Sequence, residues 1–183
     1  MRATEILIKE HDSILEMLDV LGKVCDKLEA AEAVVPEHLE EILSFLQGFA
    51  DRCHHGKEED LLFPAMEASG IPREGGPVGV MLIEHVQGRE LIQRMVAAVA
   101  SLKNAEPNAP AQFVDAGRGY VRLLSQHIEK ENNVLFRMAD MRISESKQQE
   151  LETQFDVVDK EKIGKERITE YLQQLEDLKS RYL

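Results

Sequence analysis

Two short segments of this 183-residue chain repeat one arrangement, His54-His55-Gly-Lys-Glu58 and His127-Ile-Glu-Lys-Glu131. Both run on into Leu-Phe, at Leu62-Phe63 and Leu135-Phe136, and superposing these tails aligns His54 with His127 and Glu58 with Glu131. A histidine and a glutamate four residues apart share one face of a helix, where both can reach a common ion or pair of ions. Two further histidines, His11 and His85, stand singly in other segments. Imidazole and carboxylate are transition-metal ligands, so the candidate metal residues are His11, His54, Glu58, His85, His127 and Glu131. Four imidazoles and two carboxylates exceed what one tetrahedral zinc needs and offer too few oxygens for calcium. The set suits iron, and manganese, zinc or copper less well. Two ions bridged by two carboxylates, each with two terminal histidines, is the economical arrangement.

The elements that must position these residues are helices, because apolar residues recur at three and four, not at two. In the first helix the inward series is Thr4, Leu7, His11, Ile14, Leu18, Leu21, Cys25, Leu28, with His11 its one ligating interruption before Cys25. The third series, Val78, Met81, His85, Gly88, Ile92, Met95, Val99, Leu102, is interrupted by His85, and the fourth by His127 and Glu131. The second helix has a wider face that includes Leu46, Phe49, Cys53, His54, Glu58 and Leu62. An ionised carboxylate on an interior seam is costly unless paired or metal-bound, so two of them beside inward histidines call for one shared explanation. At ~1.5 Å rise per residue, the six fall near one layer of antiparallel helices.

Gly and Pro cut the chain into segments of about 4–30, 36–70, 78–103 and from after Pro110 to about 140. Thr4 is the expected first cap and Pro36 a first-turn residue. Four helices with short connections predict an all-α, up-down-up-down four-helix bundle over residues 1–140. Residues 141–183 form a charged helical extension, broken near Gly164, that packs on the bundle or mediates self-association into a homo-oligomer. His55 and Glu59 are expected on the hydrated side with Asp51 and Arg52, as surface or outer support, and His38 is expected exposed. Cys53 reads as a buried structural thiol.

The net charge of −12 disfavours nucleic acid and anionic membrane as partners, and the 43% apolar content with its periodicity excludes a disordered acidic tail. Two widely spaced cysteines without CxxC, a charged N-terminus unlike a signal peptide and no membrane-spanning apolar run point to the cytoplasm.

His11 in KEHD, HHGKEEDLLFPAM, His85 in IEHVQGRE, and HIEKENNVLF together resemble the hemerythrin HHE cation-binding family over roughly residues 1–140. The resemblance implies that Glu58 and Glu131 bridge two irons sharing an oxo or hydroxo ligand, one iron taking His11 and His127 and the other His54 and His85. Oxygen-carrying hemerythrins have a further histidine where this chain has Arg89. The four-histidine set is similar instead to bacterial proteins of iron-centre repair and nitric oxide handling, whose Cys-bearing N-terminal domain this sequence lacks. Gly88, beside His85, is expected either as close helix packing or as the opening of a small cavity for O2, NO or peroxide, and Tyr120, two turns before His127, either as core filler or as a hydrogen-bond donor to the bridge or the bound gas. The expected function is a binding or sensing protein for O2, NO or peroxide, or an iron handler, with no catalytic residue assigned. The alternative is a di-iron enzyme that reduces peroxide or NO or repairs iron centres, although the sequence has no flavin or iron–sulfur motif to deliver electrons.

Overall fold

The computed structural model describes residues 2–183. Six helices follow one another and no strand occurs among the described residues: α1 (Ala3–Glu29), α2 (residues 36–68), α3 (Pro77–Lys103), α4 (residues 109–142), α5 (residues 145–163) and α6 (Lys165–Tyr182). The first four form the up-down-up-down bundle, and α5 and α6 run back along α1 and α2. The start of α1 is set by Glu5, whose carboxylate accepts from the Arg2 backbone N–H at 3.0 Å. Thr4 is therefore not the cap. It is buried in the first turn, two residues after the cap, and its hydroxyl donates to Asp140 at 2.8 Å instead of closing the helix end.

Two helices depart from regular α-geometry where the candidate ligands lie. The backbone of α2 widens into π-type turns over Leu46–His55 and again over Glu58–Leu62, and that of α4 over Glu131–Leu135. Such turns add a residue per turn and swing side chains onto a face that a 3.6-residue period would leave outside.

The core is split in two. One apolar cluster is built on Ile14, Leu18, Leu21, Ile42, Phe45, Phe49, Ile92, Met95, Phe113 and Tyr120; the other on Leu7, Phe63, Met66, Val78, Phe136, Leu151 and Phe155. In α1, Leu7 belongs to one cluster and Ile14 to the other, with His11 between them. The six candidate residues thus occupy a polar layer closed above and below by hydrocarbon.

The extension spends its apolar side on this bundle. Leu151 and Phe155 of α5 and Tyr171, Leu175 and Leu178 of α6 are buried. Gly164, at φ 91°, adopts the left-handed backbone that separates the two helices. Tyr182 accepts or donates a 2.7 Å hydrogen bond with His38 Nδ1, so His38 is half-buried rather than exposed. The tightest joint is Gly48, where a Cβ would stand 1.9 Å from the Tyr171 hydroxyl. Gly48→Ala should therefore push α6 off α2, lowering stability by about 1–3 kcal/mol. Hydrogen exchange should show faster exchange across residues 165–182; unchanged exchange there would mean that the joint is not needed.

Candidate metal centre

The layer is reached at matching depths from each helix. His11 lies eight residues after Ala3 and His85 eight after Pro77, placing both ~12 Å along their helices. Glu58 and Glu131 lie ten and eleven residues before the ends of α2 and α4, which run the opposite way. All six side chains are buried, with both carboxylates at 0% exposure.

Their atoms converge. Glu131 Oε2 lies 3.2 Å from His11 Nε2 and 3.3 Å from His127 Nε2, while Glu58 places Oε1 3.5 Å from His54 Nε2 and Oε2 3.4 Å from His85 Nε2. None of these contacts is aligned as a hydrogen bond: both oxygens of both glutamates, and His11 Nε2, have no hydrogen-bond partner. His85 and His127 point their Nε2 atoms at each other at 3.1 Å. Four buried carboxylate oxygens without donors and two facing imidazole nitrogens form an unfavourable arrangement by themselves and a suitable one around cations.

The donors fall into two compact groups, within each of which the ligating atoms lie within 4.8 Å of one another: His11, His54, Glu58 and Glu131, and His55, Glu58, His85 and His127. His11 and His127 share the Glu131 carboxylate and His54 and His85 share that of Glu58, while the two compact groups place His11 with His54 and His85 with His127. Each glutamate thus touches one histidine of each pair, which is the geometry a bridging carboxylate requires.

The outward nitrogen of every one of these imidazoles is held. Nδ1 of His11 meets Asn132 Oδ1 at 2.7 Å, His54 meets Glu10 at 2.9 Å, His85 meets Glu59 at 2.7 Å and His127 meets Glu84 at 2.9 Å. An acceptor at Nδ1 keeps the proton there and turns the Nε2 lone pair inward. Sequence reasoning missed Glu10, Glu84 and Asn132 and left Glu59 between surface and support. The available signal was that each is the chain neighbour of an inward ligand.

His55 is also corrected. It is 3% exposed, not on the hydrated side, and its ring stacks on that of His85 with centroids 3.9 Å apart. The π-type turns of α2 explain the difference, since they bring both His54 and His55 inward. Arg89 donates to Asp51 at 2.8 Å and to Glu59 at 2.7 Å. Gly88 faces the Tyr120 ring, and the Tyr120 hydroxyl is buried with no hydrogen-bond partner. Cys53 is buried; its thiol donates to Asp159 at 3.4 Å, and burial pushes it up to about 12. Glu10, Cys53 and Asp159 form a third donor cluster, but the Lys57 ammonium already fills it, 2.6 Å from Asp159 and paired with Glu10.

Burial disfavours the charged form of His127, but the adjacent Glu131 carboxylate outweighs it and raises the imidazole to about 10. The same opposition, won by Glu131, raises His11, and won by Glu58 and Glu59 raises His85. Burial and then the His85 charge push His55 well down.

Hemerythrin HHE cation binding domain is the family model that matches, over residues 2–139. The chain belongs to this family. It is 31% identical over 140 residues to the iron-sulfur cluster repair protein YtfE of Salmonella schwarzengrund, and likewise to YtfE of Escherichia coli O1:K1 / APEC, covering 73% of this chain and 63% of each relative. It is 25% identical over 134 residues to the uncharacterized protein Rv1995 of Mycobacterium tuberculosis, covering 73% of this chain and 52% of the relative. The chain therefore spans between half and two thirds of the length of these relatives. No solved structure matches. Family membership, with the clustered His and Glu donors, makes this a metal-binding, iron-type site.

Three outcomes test the site. Metal must displace the protons that Glu131, Glu58 and Glu59 keep on the imidazoles, so anaerobic ferrous loading at pH 7 should release protons, measurable with an indicator dye. In the metal-free protein these raised pKa values contribute stability that is complete below ~6.5 and is lost as pH rises through about 10, so its melting temperature should fall over that window. Glu10→Gln or Glu84→Gln should weaken metal binding roughly 10- to 100-fold by freeing the Nδ1 of His54 or His127, measured by chelator competition.

Proposed function

We propose that the chain holds a pair of iron ions and uses it to bind or sense a small diatomic or peroxide ligand. His11 and His54 would hold one ion, and His85 and His127 the other. Glu58 and Glu131 would span both. The observation that carries this reading is the sharing of two fully buried, donor-less carboxylates between two histidine pairs. One ion would satisfy one group and leave the second pair of imidazoles facing each other. Manganese or zinc is the alternative occupant of the same donors. Bound iron would supply a redox-active, Lewis-acidic position for O2, NO or peroxide. The protein's own contribution is to fix each Nε2 inward, exclude bulk water with two apolar layers and hold the two carboxylates between the histidine pairs.

A second reading, an enzyme that reduces peroxide or NO or repairs iron centres, draws on the likeness to a protein named for iron-sulfur cluster repair. Cytoplasmic placement belongs to the same proposal: both cysteines are free and buried, and no described helix is long and apolar enough to cross a membrane. Nucleic acid and membrane are not proposed as partners of so acidic a chain.

Purification without chelator should yield about two irons per chain and the near-ultraviolet absorption of a coupled ferric pair, which zinc lacks. Addition of NO, O2 or peroxide to the reduced protein should perturb that spectrum stoichiometrically. Sustained turnover above that of free iron would favour the enzyme, whereas one metal per chain, or none, would end the di-iron reading.

A further inference from the structure

A cleft of about 540 Å³ opens on the flank of the bundle between α2, α3 and α6, a size suited to a small molecule. None of the residues lining it is a candidate metal ligand or the support of one. Part of its lining is hydrocarbon: Leu43 of α2 and Val99 of α3 are buried, and Val96 of α3 is 37% exposed. The charge in it is inverted. The chain holds 34 acidic residues against 22 Lys and Arg, yet the charged residues of the cleft are Arg52, Lys103 and Arg167 against Glu40 alone. Arg167 is already positioned, its guanidinium 4.3 Å from the centre of the Tyr171 ring and donating to Ser44 Oγ at 3.1 Å and to Glu170 at 2.6 Å. Lys103 pairs with Glu40, but both are half in water, and such a pair is weak enough to yield to a better anion. The Arg52 guanidinium has no ion pair or hydrogen bond with any described residue.

We propose that this cleft binds a small organic anion, its carboxylate or phosphate head met by Arg52, Lys103 and Arg167 and its apolar body lying on Leu43, Val96 and Val99. Guanidinium forks suit both heads. A bare ion would leave the hydrocarbon uncovered, and a neutral apolar molecule would leave Arg52 without a partner. A ligand with both ends uses the whole lining. Arg167 and Tyr171 lie beyond residues 2–139, so the extension supplies one wall of a site that the family's bundle alone does not form.

Calorimetric titration of the full chain, as purified, tests this with naphthyl phosphate and naphthylacetate as probes and with neutral naphthalenemethanol and inorganic phosphate as controls. At least one organic anion should bind saturably, one per chain, and more tightly than either control; the tighter of the two names the head. Arg52→Gln and Lys103→Gln should each weaken it roughly tenfold. Val96→Glu, which sets a carboxylate on the half-exposed wall, should weaken it as well, and all three variants should keep the wild-type circular dichroism and melting temperature. No saturable binding of either anion overturns the inference. So does inorganic phosphate or the neutral alcohol binding as tightly as the organic anions, or an affinity unchanged in both Arg52→Gln and Val96→Glu. Iron content, read from the same samples, bears on the metal centre alone, so the two readings stand or fall separately.

Discussion

The structure depends on two carboxylates, Glu58 and Glu131, that are fully buried and have no hydrogen-bond donor. Ionised carboxylates in such a place require positive charge, as protonated imidazoles or as metal ions. Without metal, the histidines around Glu131 are held charged, which is why His127 is raised to about 10 although burial opposes it. With metal, the same charges would be carried by cations. The apolar clusters on either side serve this layer by keeping water away from it. A low effective dielectric strengthens every attraction within it.

Registration of the four helices follows from how the layer is supported. Glu10 precedes His11 and holds His54; Glu84 precedes His85 and holds His127; Glu59 follows Glu58 and holds His85; Asn132 follows Glu131 and holds His11. Successive helical residues point about 100° apart, so a residue next to an inward ligand is aimed at the neighbouring helix. Each helix therefore supplies both a donor to the layer and the support of another helix's donor. Sliding one helix by a turn would break contacts in two directions. The preorganisation of the site and the packing register of the bundle are one set of interactions.

Much of this was legible in the sequence because regular helices translate spacing into geometry. The 3.6-residue period located four helices and placed His11, His85, His127 and Glu131 on interior stripes, where the structure puts them. The period failed where the backbone leaves it. Through the widened turns of α2, His55 rotates inward with His54, a shift that no periodicity count from residues 36–70 could register. The supporting carboxylates were obscured for another reason: Glu10, Glu59 and Glu84 lie at the edges of stripes, where acidic residues are ordinary surface. Only the positions of neighbouring helices reveal that they face imidazoles.

The extension has a part in the site that its polar composition concealed. Lys57, next to Glu58, is fully buried, and an isolated ammonium there would be strongly disfavoured. It is matched by Glu10 and by Asp159, which lies in the widened last turns of α5, beyond the residues the family match covers. Glu10 also holds His54. Were Asp159 absent, Glu10 alone would have to neutralise Lys57 while orienting the imidazole, and the cation would compete for the oxygen that the imidazole uses. With Asp159 present, the Glu10 oxygens divide, Oε1 to Lys57 and Oε2 to His54. The helix α5 thus takes part in the support behind His54, so removing it would loosen a ligand as well as uncover an apolar face.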